Sequence, residues 1–214
     1  MIKVEHIVSP YLSSNMYIVS EESGSKVIID PCDTCEAVAA GKGAEFIFLT
    51  HEHFDHISGT NLLAEQTGAP VLCGDICAQR LGDPVLNGSR HFNAFAILRG
   101  QPCTVRVGDF CCSADRIVHH DEKLIWNGHS VTFLYTPGHL DSCFSILLDS
   151  MLFTGDATII GTDGKLAKCD PHYTNMYREH TLPLLERLPA DAMVYPGHGK
   201  PFCIGDITLM DALR

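Results

Sequence analysis

The sequence predicts an α/β fold in which two β-sheets pack face to face with helices outside them. Three observations predict it. Short apolar, β-branched runs cluster in both halves of the 214-residue chain. Helical spacing lies between and after these runs. No linker, linear repeat or low-complexity segment divides the sequence, so residues 1–214 are expected to form a single domain.

The elements follow in order. Ile2 to Val8 and Met16 to Val19 read as a strand pair. A polar turn, Glu21 to Ser25, leads into the buried strand Lys26-Val-Ile-Ile-Asp30, which Pro31 ends. Glu36 to Gly41 reads as a short helix closed by glycine, and Glu45-Phe-Ile-Phe-Leu-Thr50 as another buried strand. Ile57 to Thr67 has helical spacing, with Gly68 past its end. Val71 to Cys73 is a short strand and Ile76 to Leu81 a short helix. From Gly82 to Gln101 the pattern dissolves into surface loop, broken by the run Phe92 to Leu98. Lys123 to Trp126, Asn127-Gly128 and His129 to Tyr135 form a hairpin with an Asn-Gly turn. Cys143 to Leu148 and Met151 to Thr154 form another, turned at Asp149-Ser150. Met176 to Leu188 reads as helix with Asn175 as its cap, and Ala192 to Tyr195 as the last strand.

Apolar residues at 45% suffice for a sizeable core and exclude a disordered chain. A net charge of −11 disfavours a nucleic-acid partner. Neither a signal peptide nor an apolar stretch of the roughly 20 residues needed to span a bilayer is seen, so a cytoplasmic protein without a membrane partner is expected. The 10 cysteines then read as reduced thiols. Cys32-x-x-Cys35 lacks the βαβ context of a redox pair. His119-His120, beside Asp121-Glu122, reads as surface loop, and Cys143 as a packed strand residue.

The 12 histidines are more telling. Thr50-His51-Glu52-His53-Phe54-Asp55-His56 follows directly on a predicted strand. Residues two apart in extended backbone share a face, so His51, His53 and Asp55 project together. His56 opens the next helix and can turn in beside Asp55. Imidazoles with a carboxylate suit a first-row divalent metal. His139 in Thr136-Pro-Gly-His139, Asp156 in Thr154-Gly-Asp156 and His198 in Pro196-Gly-His198-Gly199 each follow a predicted strand and a glycine. One such residue alone would read as structural. Three in the same strand–glycine setting read as ligands. Asp30, before Pro31, is either a partner of a histidine ligand or a strand-end cap.

The order HxHxDH, TPGH, TGDA, PGHG resembles the metallo-β-lactamase fold superfamily from about Asp30 to Gly199, closest in style to small glyoxalase II-like hydrolases (hydroxyacylglutathione hydrolases). The resemblance implies a four-layer αββα sandwich with a metal site at one edge of the two sheets. It implies two Zn²⁺ per chain, with Fe or Mn as other choices. One ion falls to His51, His53 and His139, the other to Asp55, His56 and His198, and Asp156 bridges them. Metal-bound hydroxide would attack a thioester or ester carbonyl, with Asp55 as ligand and acceptor of the hydroxide proton. The net positive core can hold a developing oxyanion.

Departures narrow this function. Zinc β-lactamases lack an aspartate at the bridging position, where Asp156 stands here. Quorum-signal lactonases place a tyrosine three residues later, where this chain has Ile159. Persulfide dioxygenases of the same fold bind one iron through residues matching His51, His139 and Asp156. Their TPGHTDGC resembles Thr136 to Cys143, TPGHLDSC, but their glycine-arginine-threonine-aspartate run is replaced by Gly161 to Gly164. The expected function is therefore a metal-dependent, glyoxalase II-like hydrolase. The dioxygenase is the main alternative, and lactonase or phosphodiesterase activity a further one. The C-terminal helical domain of glyoxalase II proper is expected to be absent, which leaves glutathione specificity open. The expected partner is a small molecule, an anionic thioester fitting best. Lys165, Lys168 and Tyr173 lie in a locally basic, aromatic-bearing stretch, Gly161 to His180, whose carboxylates are Asp163, Asp170 and Glu179. They are candidates to grip an anionic tail; a solvated loop and helix face would read the same way. Oligomeric state is not legible.

Overall fold

A computed structural model describes residues 2–101, 106–161 and 164–213. The chain packs as two compact units, residues 1–117 and 118–214.

The first unit is built on a sheet of six strands in chain order. β1 (Ile2–Val8), β2 (Asn15–Glu21) and β3 (Lys26–Ile29) are antiparallel neighbours. β4 (Ala44–Phe48) and β5 (Val71–Gly74) then add in parallel, and β6 (Arg116–Val118) takes the edge. The parallel pairings need crossovers, and helices supply them. α1 (Cys35–Ala40) is capped by the Thr34 hydroxyl, which accepts from the Ala37 amide. α2 (Phe54–Ile57) and α3 (Thr60–Thr67) lie between β4 and β5, and α4 (Asp75–Arg80) follows β5. Ile18, Ile28, Ile47, Ile57, Leu63 and Val71 form the centre of the apolar core that the sheet shares with these helices.

Three corrections to the sequence reading arise in this unit. The single helix predicted from Ile57 to Thr67 is two helices, broken at Ser58-Gly59. There the backbone runs against the loop after β3: Gly59 N–H donates to the Pro31 carbonyl at 2.9 Å. A Cβ on Gly59 would sit 2.3 Å from the Cys32 carbonyl oxygen. Gly59→Ala should therefore lower stability by about 2–3 kcal/mol, since the clash is with backbone that cannot rotate away. Chemical denaturation checks this, and an unchanged midpoint would contradict it. Second, the predicted loop from Gly82 to Gln101 contains a 3-10 turn (Ser89–His91) and α5 (Phe92–Leu98). Phe92 and Ala96, four apart on one face, bury against Tyr11, Phe54 and Val107. Partners that distant in sequence are invisible to a local reading. Third, β6 was not predicted, because its two apolar residues, Ile117 and Val118, stand between Arg116 and His119 and form no apolar run.

The second unit carries a sheet in the order β12-β11-β10-β9-β8-β7. β7 (Glu122–Trp126) and β8 (His129–Tyr135) form the expected hairpin, with Asn127 and Gly128 at φ 48° and 89°. β9 (Phe144–Leu148) and β10 (Met151–Gly155) form the second. β10 pairs in parallel with β11 (Met193–Pro196), and the unpredicted two-residue β12 (Phe202–Cys203) closes the edge.

The predicted helix from Met176 to Leu188 is composite. α6 (Thr174–Met176) runs into a π-helical turn (Tyr177–Thr181) and then α7 (Leu182–Glu186). Asn175 lies inside α6 and caps nothing; the position before the helix is Tyr173. Pro183 has no amide hydrogen to donate, and the widened turn precedes it. No helix among the described residues is long and apolar enough to cross a membrane.

Candidate metal centre

The first unit brings His51, His53, Asp55 and His56 together where β4 gives way to α2. The sharing of one face by alternate residues holds for His51 and His53, whose rings lie 4.9 Å apart, centroid to centroid, but not for Asp55: α2 begins at Phe54, so Asp55 as well as His56 is placed by the helix and not by extended backbone. Glu52 points the other way and is 1% exposed; its Oε1 accepts from Arg80 Nη1 at 2.9 Å. The residue that reads as a spacer in HxHxDH thus carries a buried ion pair that ties the motif to α4. His51 and His56 are fully buried, with ring centroids 4.5 Å apart, and Asp55 is 5% exposed. His56 Nε2 lies 3.7 Å from Asp55 Oδ2. The Ser14 hydroxyl donates to the Asp55 carbonyl at 2.7 Å and fixes the start of α2.

Asp30 decides how these rings present themselves. It is buried at the end of β3 with φ 52°, a left-handed conformation uncommon outside glycine. Its Oδ1 accepts from the Thr50 amide at 2.8 Å. Its Oδ2 accepts from the Thr50 hydroxyl at 2.7 Å and from His56 Nδ1 at 3.0 Å. With its hydrogen committed to Asp30, the Thr50 hydroxyl accepts from His51 Nδ1, 3.0 Å away. Both rings therefore carry their proton on Nδ1 and present Nε2 as the acceptor nitrogen, the tautomer a metal ligand needs. Asp30, His51 and His56 each offer a donor atom within 4.8 Å of the others. Three of the roughly four acceptor positions of the Asp30 carboxylate are thus taken up by hydrogen bonds within the protein. Asp30 answers to both sequence readings: it holds the backbone and hydroxyl of Thr50 beyond β4 and is also the partner of a motif histidine.

The second unit brings His139, Asp156 and His198 together on loops leaving β8, β10 and β11. Asp156 Oδ2 lies 3.6 Å from His139 Nε2 and 3.5 Å from His198 Nε2. Both distances exceed hydrogen-bond length. They match the edge of a ligand tetrahedron, about 3.4 Å for metal–ligand bonds of roughly 2.1 Å. One carboxylate oxygen thus faces two imidazoles, an arrangement that suits a divalent metal ion. Gly197 N–H donates to the Gly155 carbonyl at 2.7 Å, holding the Asp156 and His198 loops side by side. Gly138, at φ 152°, passes so close to Tyr177 that a Cβ would meet its ring Cδ2 at 2.6 Å. The Thr181 hydroxyl donates to the Pro137 carbonyl, so the π-helical turn braces the His139 loop.

His139 and Asp156 also line a cleft with Ala157, Ile159, Ala167, Lys168, Cys169 and Ala212. Lys168 thus borders two of the predicted ligands. Lys165 is exposed, and its carbonyl accepts from Gly161 N–H at 2.8 Å. Tyr173 is half-buried just before α6, its amide donating to the Asp170 carbonyl at 2.9 Å. Thr162 and Asp163 lie outside the described residues. His119 and His120 are exposed, and His120 Nδ1 accepts from the Tyr135 amide at 3.1 Å. Thr50, Glu52, Ser14 and Ala212 are site or support residues that a local reading passes over. Only Thr50 leaves a signal, as a hydroxyl residue directly before the first ligand.

The nine cysteines among the described residues are free thiols, and Cys103 lies outside that set. Cys32 is buried with its Sγ 3.8 Å from Met16 Sδ, while Cys35 is exposed. Burial pushes the Cys112 thiol up to about 12, and Cys77 well above its ordinary value with Cys73 beside it. Neither forms thiolate at neutral pH. Brief iodoacetamide treatment of the folded protein should alkylate the exposed Cys35 and Cys111 and spare Cys77 and Cys112. Peptide mass mapping reads the result, and early labelling of Cys77 would contradict it.

Buried imidazoles that present Nε2, and a carboxylate faced by two more imidazoles, are donor sets suited to a divalent metal, and the family match makes the protein a metal-dependent enzyme of the hydrolase type. The chain belongs to the metallo-β-lactamase superfamily, whose model matches residues 10–198. Its fold is similar to that of the BLEG-1 B3 metallo-β-lactamase, at 25% identity and a TM-score of 0.75, covering 98% of this chain and 97% of the other. TTHA1623 in a di-iron-bound form is similar at 23% identity and a TM-score of 0.68, covering 97% and 96%. ETHE1 from Myxococcus xanthus is similar at 22% identity and a TM-score of 0.61, covering 95% and 80%. The last two likenesses speak to fold alone.

Proposed function

We propose that this chain is a dinuclear metal hydrolase, with zinc as the expected metal, that cleaves thioesters or esters of a small anionic substrate. The observation that carries the reading is Asp156, whose Oδ2 faces His139 and His198 at nearly equal distance. By the family resemblance, His51, His53 and His139 would hold one ion and Asp55, His56 and His198 the other, with Asp156 contributing to both. When bound, two such ions supply a nucleophile at neutral pH and polarise a carbonyl.

The chain's own residues do the rest. Asp30 and Thr50 hold His51 and His56 in the ligating tautomer. Asp55 accepts the proton of the attacking water. Lys168, on the cleft beside His139 and Asp156, offers a positive charge to an anionic part of the substrate. Lys165 and Tyr173 are weaker candidates for the same task. A thiolate leaving group, with pKa near 8.5, departs without a strong general acid. The free thiols suit a reducing, cytoplasmic setting.

The test is elemental analysis of protein purified without added metal, combined with a panel of thioester, ester, lactone, phosphodiester and cephalosporin substrates. Two metal ions per chain and preferred thioester turnover are expected. One iron per chain, with oxygen uptake on a persulfide, would replace the hydrolase by a dioxygenase.

A further inference from the structure

The cleft beside His139 and Asp156 is small, and its size is set by a segment outside every recognised motif. The cleft, open to solvent on the side of Ala167 and Lys168, offers about 50 Å³, room for roughly three or four groups the size of a water or a methyl. Beside His139 and Asp156 its walls are the small side chains of Ala157, Ala167 and Ala212 with Ile159 and Cys169, and Lys168 stands at its border. Ala212 comes from the 3-10 segment Leu209–Leu213 and is 3% exposed.

That segment is fastened to the cleft wall. The Cys169 amide donates to the Ala212 carbonyl at 3.0 Å, and the Cys169 thiol donates to the same oxygen at 3.1 Å. Leu209 and Leu213 pack with Leu166, Tyr177 and Leu182 beneath it. A wall held by a doubly occupied carbonyl and an apolar base has little freedom to retreat before a larger ligand.

We propose that Ala212 is a specificity-determining residue that limits the acyl part of the substrate to a compact chain of about four heavy atoms or fewer. This rests on the hydrolase reading for its chemistry, since the cleft is taken as the acyl subsite of that reaction. The leaving thiol or alcohol departs away from the cleft and carries no such limit. Longer acyl chains must displace Ala212 or leave the cleft unfilled.

The experiment separates the two ideas. Ligand-observed NMR titrates the metal-loaded protein with the free acids from acetate to octanoate, and the matching acyl thioesters are assayed in parallel. Affinity is expected to rise to propanoate or butanoate and then fall at least about tenfold, the penalty for forcing methylenes into a filled site. Ala212→Gly should move the break to a longer chain. Ala212→Leu, with unchanged metal content, should weaken even propanoate. Affinity that is flat or grows through octanoate, no binding of the short acids, or an Ala212→Gly profile identical to the parent would each overturn the proposal. Should Ala212→Leu fail to fold, the parent profile and the glycine variant still decide. If the short acids bind as expected but no thioester is turned over, the hydrolase reading fails while the size limit stands.

Discussion

If the proposed dinuclear reading holds, Asp156→Ala should cost the chain both metal ions. The Oδ2 atom lies 3.6 Å from one imidazole and 3.5 Å from another that belongs to the second ligand set. Removing it takes a ligand from each ion and removes a negative charge that holds two dications close together. Turnover should fall by at least about 100-fold, the upper range for loss of a supporting group and the lower bound for loss of a ligand. Asp156→Asn keeps the shape but not the charge, and should retain part of the first ion and little of the second. Metal per chain, measured after dialysis against a weak chelator, reads this directly. Full metal content in Asp156→Ala would sink the assignment of Asp156 as a shared ligand.

The second large effect is expected at Asp30, which by this account touches no metal. Asp30→Ala deprives the Thr50 amide, the Thr50 hydroxyl and His56 Nδ1 of their acceptor. Each buried donor left unsatisfied costs about 1–3 kcal/mol, and alanine is also strained at φ 52°. Gross destabilisation should follow. Asp30→Asn is the more informative change. Its amide oxygen can still accept from the Thr50 amide, so the fold should survive. Its NH₂ group then faces His56 Nδ1 and favours the tautomer protonated at Nε2, the nitrogen a metal needs. Metal affinity should fall about 10- to 100-fold in a folded protein. A folded Asp30→Asn variant that binds metal like the parent would show that Asp30 only caps the strand.

The candidate ligand residues were legible because their constraints are local. In HxHxDH the two histidines two apart share a face in extended backbone, and the helix that starts at Phe54 carries Asp55 and His56. The single ligands at His139, Asp156 and His198 share a strand–glycine setting that repeats three times. The Asn-Gly hairpin and the buried β-branched strands were legible for the same reason, since each is decided within a few residues. The helix Phe92–Leu98 was not, because its apolar face meets Tyr11 and Phe54 from far upstream.

By itself, then, the sequence determined the α/β character, the order of the principal strands, and a set of histidines and aspartates whose chemistry is that of a divalent-metal enzyme. Only the tertiary structure decided which nitrogen each buried imidazole presents. That depends on Asp30 and Thr50, twenty residues apart, meeting through hydrogen bonds of 2.7 and 2.8 Å. It alone broke the helix at Gly59, where the backbone has no room for a Cβ against Cys32. It alone set Ala212 against Cys169 and so closed one wall of the cleft. Periodicity and spacing report what a residue does to its near neighbours. Packing, tautomer and cavity size are decided by groups that meet only once the chain has folded.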